Sequence, residues 1–123
     1  MDTDVIAGGL RTILDGLMKV EGVSAALVVG RDGFVIEGVS AEGGDLDAVG
    51  ALAASALGSS DSMGGELHLG TLGSILIEYE VGPVAVTPAG PDAVLAVVGD
   101  QRANLGRLRI EMRKIRSAVA DQL

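Results

Sequence analysis

Two uninterrupted runs of small and apolar residues, Ser24 to Gly30 and Ala93 to Val98, constrain this chain more than any other feature. A strand with one face in water alternates apolar and polar residues, so a run without alternation reads as a strand covered on both faces. Such strands belong inside a sheet with helices on each side. At 123 residues the chain has room for one such core, and a single domain over 1–123 is the expectation.

The segments around the two runs fit that requirement. Asp2-Thr3-Asp4 suits a helix cap, and Ile6, Leu10, Ile13, Leu14 and Leu17 recur three and four apart, giving an amphipathic helix that ends at Gly22. After the first run, Arg31-Asp32-Gly33 is a turn and Phe34 to Val39 a second strand, so the two form a hairpin. Asp45 and Asp47 open a second helix, where carboxylates favour the positive end of the dipole. Its apolar stripe is Leu46, Val49, Leu52, Ala53, Ala56 and Leu57, and it is expected to stop at Gly64-Gly65. The rest of this helix is small (Gly50, Ala51, Ala54, Ser55, Gly58), which lets another backbone come close.

Ser74 to Glu80 reads as a strand with Ile75, Ile77 and Tyr79 on one face and Glu78 and Glu80 on the other. Val84 to Thr87, between two prolines, and Ala93 to Val98 complete a three-stranded meander. A last helix from about Gln101 to Ala120 carries Leu105, Leu108, Met112, Ile115 and Val119 inward and Arg107, Arg109, Arg113, Lys114 and Arg116 outward. The fold class is therefore α/β in the α+β sense: order α-β-β-α-β-β-β-α, a five-stranded, mostly antiparallel sheet, and helices on both faces. Nineteen glycines are more than twice the usual share, but with 48% hydrophobic residues they punctuate a fold rather than signal disorder.

Chemistry has little material here. The absence of cysteine removes disulfides, thiolate metal sites and cysteine nucleophiles, and a single histidine, His68, leaves little for acid–base work or metal binding. A phosphate-binding loop needs lysine followed by a hydroxyl, whereas Lys19 precedes Val20 and Lys114 precedes Ile115. A serine hydrolase built on His68 with Ser59, Ser60, Ser62 or Ser74 is a remote alternative, because no serine lies in a GxSxG elbow. The pairs Asp45/Asp47 and Glu78/Glu80 read as capping and edge protection rather than as cation ligands. No catalytic residue, cofactor or metal is assigned.

The net charge of −8 disfavours nucleic acid, whose phosphates demand clustered cations. Charge is also uneven: residues 102–123 carry six arginines and lysines against Glu111 and Asp121, a +4 segment on a body of −12. No apolar run approaches the roughly 18 residues of a membrane span. Asp2 and Asp4 stand where a secretory signal is basic, so neither membrane insertion nor export is expected and the location expected is cytoplasmic.

The run from Gly22 to Ile36 (Gly-Val-Ser-Ala-Ala-Leu-Val-Val-Gly-Arg-Asp-Gly-Phe-Val-Ile) after an amphipathic helix resembles the Roadblock family of dynein light chains and their prokaryotic relatives, including the bacterial MglB type. The small-residue helix from Leu46, the strand Ile75 to Glu80, Pro83 to Pro88 and Ala93 to Val98 continue the resemblance over nearly the whole chain. It implies a homodimer in which the third strands pair across a two-fold axis and the second helices lie side by side. Leu52, Ala53, Ala56, Leu57, Leu72, Leu76 and Glu78 then become candidates for the dimer seam. It further implies a regulator of a small Ras-like GTPase, contacted by the second-helix surface at Asp45, Asp47, Gly50, Ala51, Ala54 and Ser55. A scaffold dimer that leaves GTP turnover unchanged is the alternative.

Overall fold

The computed structural model describes residues 3–123, with side chains from Gly9 onward. The elements are α1 (Thr3–Met18), β1 (Val23–Gly30), β2 (Val35–Ser40), α2 (Leu46–Glu66), β3 (Ile75–Glu78), β4 (Pro83–Pro88), β5 (Ala93–Gly99) and α3 (Leu105–Asp121). All strand pairs are antiparallel, in the order β2-β1-β5-β4-β3. The two apolar runs are β1 and β5, paired with each other inside the sheet and buried along most of their length. Helix α2 carries the chain from one edge of the sheet to the other, which leaves β3 as an edge strand.

Each face of the sheet has its own core. Ala26 and Val28 of β1, Ala85 of β4 and Leu95 and Val97 of β5 meet Leu10, Leu14 and Leu17 of α1 and Leu108, Met112 and Val119 of α3. On the opposite face Leu27, Val29, Val86, Val94 and Ala96 meet Ala53 and Leu57 of α2. Consecutive side chains of β1 and β5 thus enter different cores, the physical reason that neither strand alternates with polar residues.

Several boundaries differ from expectation. Helix α1 ends at Met18, where the amides of Lys19 and Val20 donate to the carbonyls of Gly16 and Leu17 in a tightened last turn. Gly22 does a different job: with φ +87° it lies so close to the backbone of Ala103 that any Cβ would collide with it. The expected cap Asp2-Thr3-Asp4 and stripe position Ile6 lie outside the residues whose side chains are described. Strand β3 stops at Glu78, opposite Pro83, which has no amide to donate; Tyr79 turns away and is exposed instead of extending the apolar face. The last helix begins at Leu105, capped by Asn104, whose side chain accepts from the amide of Arg107.

Helix α2 also runs through Gly64-Gly65 to Glu66. Each glycine costs about 1 kcal/mol in a helix, which packing can offset, so a pair of them is not by itself a stop. The stop is a Schellman motif: His68, at φ +56°, donates its amide to Gly65, and Leu69 donates to Gly64. His68, the residue around which a hydrolase would have to be built, is therefore the left-handed residue that terminates a helix.

Candidate functional site

Helix α2 presents three sides. Gly50, Ala53 and Leu57 face the sheet and are buried. A Cβ built on Gly50 would lie 2.8 Å from Cγ2 of Val35, so glycine there sets how closely the helix approaches β1 and β2. These placements correct the sequence reading: Gly50 is not exposed for contact, and Ala53 and Leu57 belong to the core of their own chain.

A second side holds Val49, Leu52, Ala56 and Met63, whose spacings of three, four and seven put them on one flank at 100° per residue. Leu52 is 70% exposed and Met63 61%, so this flank is the least covered apolar surface of the helix. It leads to a groove of about 360 Å³ lined by Met63, Leu67, Leu69, Leu72 and Ile75, between the end of α2 and β3. Leu72 and Ile75 are half-buried at its floor, and Leu76 and Glu78 are exposed on the other face of β3. Of the expected seam residues, Leu72, Leu76 and Glu78 lie at the β3 edge, whose strand has a hydrogen-bonded partner on one side only, while Leu52 and Ala56 lie farther back on the α2 flank that leads to it.

On the third side Asp47, Ala51 and Ser55 are exposed and Ala54 half-buried. Asp45 is exposed as well but is engaged as the helix cap, its carboxylate accepting from the amide of Ala48 at 3.1 Å. The turn between β1 and β2 rises next to this side: Gly33 meets Ala51, and Asp32, Phe34, Asp47 and Ala51 border a shallow groove of about 370 Å³. Phe34, the chain's one phenylalanine, is 75% exposed. The sequence reading treated it as a strand residue; the signal it carried was an aromatic directly after an Asp-Gly turn, where neither face of the sheet extends far enough to cover it. Arg31, at the start of that turn, pairs at 3.1 Å with Asp61 and ties the end of β1 to α2.

Among the described residues no group of three or more histidines, aspartates and glutamates has the geometry to hold a metal ion. The pKa shifts that stand out lie in the loop before α3: the guanidinium of Arg102, hydrogen-bonded to Asp100, holds that carboxyl below its usual range, and Asp100 raises Arg102 in turn. This pair orders the loop, since Asp100 also accepts from the amide of Arg102 and donates its own amide to the carbonyl of Gly22.

A model of the Roadblock/LC7 domain matches residues 10–99, from α1 to the end of β5. The chain belongs to the Roadblock/LC7 family. Two uncharacterized proteins of Methanocaldococcus jannaschii are each 38% identical over 104 residues, 85% of this Roadblock chain and 90% of theirs. Among solved structures, MglB in a tetrameric arrangement superposes with a TM-score of 0.88 at 23% identity, covering 95% of this chain and 89% of that one. The gliding protein MglB of Thermus thermophilus gives 0.87 at 22% identity, covering 95% and 90%. These structures share the Roadblock fold described above; the family match ends at Gly99, so the basic helix α3 lies beyond it. No helix among the described residues is long and apolar enough to cross a membrane.

Proposed function

We propose that this Roadblock chain is a homodimer, paired through β3 and the Leu52 flank of α2, that binds and regulates a small Ras-like GTPase. The observation that carries the reading is that the apolar flank of α2 leads at Met63 into a groove bordered by Leu72 and Ile75 of the edge strand region. Either alone is ordinary; together they form a surface that a second copy satisfies, with backbone bonds at β3 and apolar burial at Leu52, Ala56 and Leu72. Ala53 and Leu57 support that seam from beneath.

The GTPase reading comes from the family resemblance, and the third side of α2 supports it. Asp47, Ala51, Ser55 and the half-buried Ala54 give a low-relief surface, with Asp45 at one end, Gly50 beneath and Phe34 standing beside it as an aromatic anchor. The chain contributes binding rather than chemistry, so regulation means favouring one conformation of the GTPase's own switch segments.

Two measurements test the two parts. Sedimentation velocity at micromolar concentration is expected to show a dimer, and a monomer removes the assembly reading. Turnover of GTP by a Ras-like GTPase encoded beside this gene is expected to change on adding the protein and to return towards the basal rate with Phe34→Ala or Ala51→Arg. Binding with unchanged turnover and exchange assigns the scaffold role instead, and no binding in either nucleotide state removes the GTPase reading.

A further inference from the structure

Helix α3 carries three guanidiniums along one groove. Arg109, Arg113 and Arg116, spaced four and three apart, line a channel of about 320 Å³ between α3 and the edge of the sheet, with Ser74, Leu76 and Thr87 along its opposite wall. No carboxylate lies within ion-pair distance of these three among the described residues; the ion pairs there involve Arg11, Arg31, Arg102 and Lys114. At the same edge and on the same face of the sheet stands Glu78, exposed and likewise without a cation within reach. Three like charges collected without a counter-charge, beside an acid their own chain does not bring to them, ask for a carboxylate from elsewhere.

The symmetry of an edge-to-edge dimer supplies one. In an antiparallel pair, residues directly opposite each other put their side chains on the same face. Leu76 and Glu78 point to the α3 face, while Ile75 is held in the α2-side core, so even-numbered residues must oppose even-numbered ones. A two-fold axis at either interior residue of the four-residue strand then allows two registers. Centred on Leu76, Glu78 faces Ser74 of the other copy; centred on Ile77, it faces Leu76. Both of those residues wall the arginine channel.

We infer that in the dimer Glu78 of each protomer enters the α3 channel of the other and pairs with Arg109 and Arg113, so that the basic last helix acts as an electrostatic clamp on a second copy of this chain. The inference rests on the β3 pairing proposed above. It gives the +4 segment a role: two clasps related by the two-fold axis fix which register the short β3 strand adopts, a choice that four backbone pairs specify weakly. Arg116, farther along the same channel, adds to the positive field without being required for the pair.

The test uses charge reversal with recombination, read by sedimentation velocity on the full chain at about 0.05 M and about 0.5 M salt. Glu78→Lys and the double variant Arg109→Glu/Arg113→Glu are each expected to raise the dimer dissociation constant about tenfold or more at low salt. The chain carrying all three changes restores both clasps and is expected to return to within about threefold of the unsubstituted protein. All three substituted positions are exposed, and a retained cooperative thermal transition confirms that each variant folds. A dimer whose affinity ignores the reversals, or a combined variant weaker than both parents, overturns the clamp while leaving the β3 dimer standing. An unsubstituted protein that is monomeric at tens of micromolar overturns the dimer itself and the clamp with it.

Discussion

Strands β5 and β3 belong to one sheet and lie two places apart in it, yet they differ in almost every physical respect. β5 is flanked by β1 and β4, receives α1 and α3 on one face and α2 on the other, and buries nearly every side chain. β3 has four residues and a partner on one side only, and alternate side chains are exposed. The cause is place in the sheet: β5 lies between two strands with helices across both faces, whereas β3 lies at an edge, with Ile75 half-buried on the α2 side and Leu76 and Glu78 exposed on the α3 side. The opposite edge strand β2 likewise has no fully buried residue. At the β3 edge the uncovered surface adjoins the groove at the end of the Leu52 flank, and that is where surface is left for a partner.

The largest effect that would break this contrast is a charge beneath α2. Ala53→Asp places a carboxylate without a partner in the core between α2 and the sheet, at a cost of about 3 kcal/mol or more, and is expected to leave a chain without a cooperative thermal transition. Next comes truncation in the two strands. Leu95→Ala, at a fully buried β5 site, is expected to lose about 2–5 kcal/mol in urea unfolding; Leu76→Ala, at a β3 site 39% exposed, should lose less than half as much under monomeric conditions. Equal losses would mean that the edge is as tightly held as the centre.

Leu52→Asp sharpens the comparison from the other side. The residue is exposed, so the unfolding free energy of the monomer should change by no more than about 0.5 kcal/mol, while self-association measured by light scattering should disappear. His68→Gly is expected to stabilise the protein by about 0.5–1 kcal/mol, because glycine adopts the left-handed C′ conformation without the strain of a side chain. A loss of stability on that change would mean that the imidazole makes a contact worth more than the strain. It also separates the structural role of His68 from the hydrolase alternative, which predicts lost activity.

The smallest effect is on acid stability. Asp100 has its pKa depressed below its ordinary value of 3.8 by Arg102, so its contribution is complete above that value and fades as pH falls through the lower folded value. Asp100→Asn should therefore lower stability slightly through the neutral region and converge with the unsubstituted protein as pH falls below about 4, flattening the acid limb, which an acid titration followed by circular dichroism would reveal.

Much of this molecule was legible in the residues. Element order, the Asp-Gly hairpin, the internal position of the two apolar runs and the stripe Leu108-Met112-Val119 followed from period and punctuation, signals that depend on a residue and its near neighbours. The misreadings share a cause too. Gly64-Gly65 reads as a stop by propensity, but a helix ends where its last carbonyls find donors, and those came from the amides of His68 and Leu69. Tyr79 continues the apolar alternation of β3, but pairing ends at Pro83 in the neighbouring strand. Gly50 and Ala51 are adjacent small residues of equal promise as contacts, and only the depth at which α2 sits against Val35 buries one and exposes the other.

The sequence by itself therefore determined which segments become helix or strand and which strands lie inside, because apolar period and turn chemistry are local quantities that burial then enforces. Tertiary structure alone decided which small residues of α2 meet the sheet and which face outward, that Phe34 stands beside Ala51, and that Glu78 shares a face and an edge with the arginines of α3. Those are distances between elements far apart in the chain. They are set by how closely backbones approach and by which edge the crossover helix reaches, and no periodicity within a segment encodes either.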